Sequence, residues 1–358
     1  MPLFPVFVVL AVFGPLICLA QGGSINGEAT YVSFSVPGAL GTYPMGINAS
    51  MQVTGYYTVS SGMAHGFLRE ADGTISTFDV PGARWTQPAF INTAGDIAGE
   101  AVPPTGVAQG FLRYADGRTV VIPGNQAAYE SVTVAGINDF DEIAGDYLHL
   151  GVTAFTRSRN GEFAALPPPH AVATGLNASG SVIGILPDQY GFTGFVSHPD
   201  GDWTTVGPVA TSVCGDQTIP EAINAGGTIA GTLTRNYFFN SSCPINTGGF
   251  VMSPEGEFTP FQPPGQLPYY HDLLLGAGPP PLHLVSIDQA GDIAGTYIDA
   301  AGLYHGFVRN PYGTITSFDP PESKWTTVTS INAGGTIAGY YQYSPQGTGL
   351  TVGFLRVP

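Results

Sequence analysis

A short motif recurs seven times along the chain, and its even spacing leaves little room for anything but a repeat architecture. Each copy opens on Ile-Asn or a close variant: Ile47-Asn48, Ile91-Asn92, Ile137-Asn138, Leu176-Asn177, Ile223-Asn224, Ile287-Asp288 and Ile331-Asn332. A turn follows, then a glycine at Gly55, Gly99, Gly145, Gly184, Gly231, Gly295 and Gly339. A second motif, usually Gly-Phe, places Phe67, Phe111, Phe155, Phe195, Phe250, Phe307 and Phe354. From Asn48 to Asn332 is 284 residues in six steps, about 47 each, within the ~40 to 50 residues of a propeller blade.

Within one copy, turn residues mark four strands, expected at 86–92, 96–102, 108–113 and 118–123. Composition agrees with many short strands and tight turns, since the chain holds 50 Gly and 31 Pro with only 10% charged residues. The two ends complete each other. The last copy stops after its third strand, and Thr30-Tyr31-Val32-Ser33-Phe34 matches the fourth strand of other copies. An open stack would leave both edges unpaired, whereas a ring closes them. The expected fold is therefore all-β: a seven-bladed β-propeller of four-stranded antiparallel blades, closed by the N-terminal strand completing the last blade.

The runs His65-Gly66-Phe67-Leu68-Arg69 and His305-Gly306-Phe307-Val308-Arg309, followed by Phe78-Asp79-Val80-Pro81-Gly82 and Phe318-Asp319-Pro320-Pro321, resemble the HAF-type extracellular repeat family of bacteria. The resemblance covers the chain from about Thr30 onward. Glycine replaces the family's alanine, and five copies lack the histidine. It implies secretion and a repeat fold, and brings no established activity or catalytic residues. The recurrence of His65 and His305, and of Asp79 and Asp319, points to packing or hydrogen bonding.

Residues 2–20 form an uncharged apolar run ending at Ala20, read as a secretory signal over 1–20 with one propeller domain over 21–358. The run is too short and too broken by Pro15 for a comfortable membrane span. Export predicts an extracellular or periplasmic protein, no membrane span after cleavage, and a disulfide between Cys214 and Cys243. That bridge would contribute roughly 3 to 4 kcal/mol in the chain-entropy model. With 26 acidic against 10 basic residues, the net charge of −16 makes nucleic acid and anionic membranes poor partners. A monomer is expected.

Connections after first and third strands are short and uniform. The long insertions, 207–217, 235–248 and 263–281, all follow second or fourth strands and so share one face, the expected recognition surface. Tyr269, Tyr270, His271 and Asp272, with His283 nearby, form its densest polar and aromatic cluster; Tyr237 and Phe239 join them as candidate ligand-binding residues. The bland alternative is a loop folded on its own aromatics. Asp139, Asp141 and Asp146 miss the spacing of a calcium loop and read as a turn with solvated carboxylates. No catalytic, metal or cofactor motif is present, so no cofactor is expected. The favoured function is a binding module for a carbohydrate, peptide or protein. The alternative is a hydrolase or lyase with carboxylates at the central mouth, and a structural envelope role rests on repetition alone.

Overall fold

The computed structural model describes residues 29–122, 131–148, 151–188, 191–207, 216–235, 247–267, 282–343 and 349–358. Every regular element among them is a β-strand. The repeat at 86–123 resolves into β6 (Trp85–Ile91), β7 (Ile97–Val102), β8 (Gln109–Arg113) and β9 (Thr119–Ile122), paired in that order. Its strands lie within one residue of the expected bounds. Four further sheets share this pattern: β10 (Ser131–Ile137) to β13 (Phe163–Ala165), β14 (Val172–Leu176) to β17 (Trp203–Val206), β18 (Asp216–Ile223) to β21 (Phe258–Phe261), and β22 (Leu282–Ile287) to β25 (Ile315–Phe318).

Here the structure departs from the expectation of seven separate units: only these five sheets stand alone. The remaining strands form one eight-stranded sheet of β26 (Ser323–Ile331), β27 (Ile337–Tyr343), β28 (Leu350–Val357), β2 (Gly41–Ile47), β3 (Val53–Thr58), β4 (Ala64–Arg69) and β5 (Ile75–Phe78), with β1 (Thr30–Phe34) also paired to β28. The merger rests on a single parallel pair, Gly41↔Thr351. The molecule is an all-β propeller.

The repeated residues each meet a local demand. In every copy the Asn or Asp side chain accepts the backbone N–H four residues on, as Asn48 does from Gln52 at 3.0 Å, which fixes the turn. An asparagine can also donate. Asn48 donates to the Asn92 carbonyl, Asn92 to Asn138, Asn138 to Asn177, Asn177 to Asn224, and Asn224 to Asp288. Asn332 donates to Asn48 at 3.0 Å, joining residues 284 apart. These residues form a hydrogen-bonded belt around the axis. Asp288 lacks the amide, so no such bond passes from it to Asn332; burial raises the pKa of its carboxyl.

A β-bulge interrupts each innermost strand four residues before the belt, for example between Pro44 and Gly46. The bulge brings the Tyr43 carbonyl against Gly55, where a Cβ would collide with it. The seven repeat phenylalanines named above are fully buried and form the hearts of the local cores.

Candidate functional site

Between successive repeats, the backbone N–H at the bulge faces the neighbouring sheet and needs a partner or must be absent. Where the preceding repeat offers an acceptor, the N–H is used. Ala173 donates to Asp146 at 2.9 Å, Leu284 to Glu221 at 3.2 Å and Val328 to Thr296 at 2.9 Å. Val134 donates likewise to Glu100. At the corresponding positions of the other junctions stand Pro44, Pro88 and Pro220, which have no N–H. In the second strands of the preceding repeats, the positions equivalent to Glu100, Asp146 and Thr296 hold Tyr340, Tyr56 and Ile185, which supply no such carboxyl or threonine acceptor. The deep carboxyls Glu100, Asp146 and Glu221 therefore have a structural duty.

Burial sets their charge. It pushes the Asp146 carboxyl up to about 6, against the Ala173 N–H and the Thr133 hydroxyl. It pushes Glu221 up to about 8, against hydrogen bonds from the Thr232 hydroxyl and the Leu284 N–H. Glu221 Oε1 lies 3.8 Å from His283 Nε2 on a half-exposed imidazole, whose pKa burial lowers. The pair spans the junction of β18 and β22 at the sheet end where β22 begins.

Tyr43 occupies the same place in its repeat as His283, five residues before the belt. Its ring stacks on Tyr56 at 4.7 Å and meets Tyr340 edge-on at 5.1 Å. Burial first, then the neighbouring tyrosines, pushes Tyr56 up to about 12. An aromatic platform and an imidazole–carboxyl pair thus sit at one level of the repeat around the axis.

Tyr269, Tyr270, His271, Asp272, Tyr237 and Phe239 lie outside the described residues, as do Cys214, Cys243 and residues 1–28. The described strands on either side of the insertions begin or end at the sheet end that carries His283. Sequence reasoning missed Glu221, although a signal existed: Met45, Ala89, Ala135, Thr174, Val285 and Thr329 occupy its position in other copies, none of them acidic.

The expectation of solvated carboxylates holds for Asp139 alone, which is exposed and accepts from Thr93 N at 2.8 Å. Asp141 and Asp146 are buried. Asp141 takes φ 59°, where most copies carry glycine, and its side chain meets Asn92 Nδ2 at 3.2 Å and Arg159 Nε at 3.3 Å. Burial and then the hydrogen bond with Asp96 raise its pKa. His65 lies 3.0 Å from Asp79, and His305 lies 2.7 Å from Asp319, in keeping with a packing role. Among the described residues no group of three or more His, Cys, Asp or Glu is placed to hold a metal, and no helix is long and apolar enough to cross a membrane.

Neither a family model nor a curated protein sequence matches the chain. Solved structures do match its fold. Virginiamycin B lyase from Staphylococcus aureus aligns with TM-score 0.57 at 13% identity, over 92% of this chain and 100% of that one. YCF48 bound to D1 peptide aligns with TM-score 0.53 at 11% identity, over 92% and 97% of the two chains. The BP39L lectin from Burkholderia pseudomallei aligns with TM-score 0.50 at 10% identity, over 91% and 95%. At such identities the likeness establishes the propeller fold, which hosts unrelated functions.

Proposed function

We propose that this chain is an exported β-propeller that binds a carbohydrate, peptide or protein ligand at its insertion-bearing face. The observation that carries this is the shared level of the Tyr43, Tyr56 and Tyr340 platform and the Glu221–His283 pair, at the end from which the long insertions leave. A stacking surface and a few polar groups at equivalent positions of the repeat suit a sugar or peptide ring. A lectin and a peptide-bound protein among the structural neighbours are compatible with it. Glycan and peptide arrays test the proposal, followed by His283→Ala and a Tyr270→Ala/His271→Ala double variant. Binding should weaken with melting temperature nearly unchanged, and arrays without a hit would sink the idea.

The hydrolase or lyase reading has one observation in its favour, a carboxyl held protonated near neutrality beside an imidazole. Glu221→Gln distinguishes the two: a binder loses affinity for an array ligand that it never turns over, whereas an enzyme keeps binding that ligand and loses turnover.

In the architecture we favour, the eight-stranded sheet is two blades touching at Gly41↔Thr351, which makes seven, with β1 completing the last. The five-residue pairing of β1 with β28 supports this, as do the Asn332–Asn48 bond and the Tyr43–Tyr340 ring contact. Membership of the HAF-type repeat family, a leader over 1–20, extracellular or periplasmic placement and the Cys214–Cys243 bridge belong to the same proposal.

A further inference from the structure

On the opposite, turn-bearing side, the repeats fill their junctions with their own arginines. An arginine at the end of the third strand stacks its guanidinium over the ring that ends the preceding repeat: Arg69 over Phe34 at 5.0 Å, Arg113 over Phe78 at 4.6 Å, Arg309 over Phe261 at 5.0 Å and, one residue before the strand's last, Arg356 over Phe318 at 4.8 Å. Arg69, Arg157 and Arg309 also donate from Nη1 to the carbonyl of the next residue, at 3.1, 3.4 and 3.1 Å.

Ser197, at the end of β16 (Gly191–Ser197), and Met252 stand where the other five repeats carry arginine, and at the junction of β14–β17 with β18–β21 this filling is missing. Met252, which ends β20 (Thr247–Met252), stands in the arginine's place, and Val206 stands in that of the ring. A cavity of about 860 Å3 opens there, within the ~300 to 1,000 Å3 of small-molecule sites. Its walls include Met252, Val196 and Phe258, its rim Glu255 and His198, and no lysine or arginine lines it. His198 Nδ1 lies 3.2 Å from Ser181 Oγ. Among the described residues the Ser253 carbonyl, counterpart of those capped elsewhere, receives only the Gly256 N–H, at 2.9 Å.

We propose that this cavity binds a guanidinium on an aliphatic stem, as in arginine, free or within a peptide. The stem packs on Met252 and Val196, the guanidinium donates to the Ser253 carbonyl, and Glu255 supplies the opposite charge. The site is separate from the insertion-bearing face and does not depend on what binds there.

The test is calorimetric titration of the full chain with N-acetyl-arginine methylamide, its neutral citrulline analogue and an arginine-centred tripeptide. Methionine methyl NMR reports on Met252 in parallel. The arginine compound should bind at least about tenfold more tightly than the citrulline one, given charge-assisted hydrogen bonding, and should shift the Met252 methyl signal. Tighter binding of the tripeptide identifies a peptide source; equal binding identifies the free group. Met252→Arg should occupy the cavity itself, abolishing binding while raising the melting temperature. Glu255→Gln, an exposed change that spares the fold, should weaken binding several-fold. No binding, equal binding of citrulline, or binding untouched by both variants overturns the proposal.

Discussion

The junctions between repeats solve one problem in two ways. At Pro44, Pro88 and Pro220 the donor is deleted; at Val134, Ala173, Leu284 and Val328 it is kept and given an acceptor from the neighbour. A deleted donor leaves the facing position free to be Tyr340, Tyr56 or Ile185. A retained donor obliges it to be polar, and burial then raises the pKa of the carboxyls chosen. The difference teaches why aromatic and ionisable side chains segregate around the axis.

Asp146→Ala should break the contrast most severely. It strands the Ala173 N–H and leaves a void, at a cost of about 3 kcal/mol in urea unfolding; a loss near zero would mean the acceptor is dispensable. Next comes pH. Glu221 and Asp146 have folded pKa values of about 8 and about 6, above their ordinary values of 4.5 and 3.8. The fold then holds protons that the unfolded chain releases, so stability falls as pH rises from about 4 to 8. The melting temperature should drop by several degrees over that range, and Glu221→Gln should flatten most of the slope above pH 6. A flat wild-type profile would contradict the assignment.

Thr296→Val should cost about 1 to 2 kcal/mol, because the Val328 N–H loses its partner. Adding Val328→Pro converts the junction to the other type and should recover most of the loss. A double-mutant cycle without coupling would show that the two types are not equivalent. The smallest effect belongs to the belt. Asp288→Asn supplies the missing amide toward Asn332 and should stabilise by about 1 kcal/mol in the same assay.

Much of this was legible in the residues. Ile91-Asn92, Gly99 and Phe111 fixed the strands of their repeat to within a residue, because turns and buried rings act locally. The alternation of proline with acceptor was also written there. It became readable only once each bulge was known to face the preceding repeat, with hydrogen bonds reaching 27 to 63 residues back in sequence. Asp141 and Asp146 misled for a similar reason: turn chemistry predicts solvent, whereas Asn92 and Ala173 of adjacent repeats cover them. The tyrosine platform required the same cross-repeat view. For Tyr270 and His271 local sequence supplied a cluster without a scaffold to orient it.

Because at four junctions one unit completes the unsatisfied donor of its successor, a repeat there carries one half of an agreement with its neighbour. Shuffling units within such a protein is therefore constrained in a way that strand content alone would not reveal. A segment beginning in proline can be grafted behind almost any predecessor, whereas one beginning in valine or leucine must arrive with a matching oxygen upstream. Proline-fronted segments are the interchangeable currency of this architecture, and the others can move only in pairs.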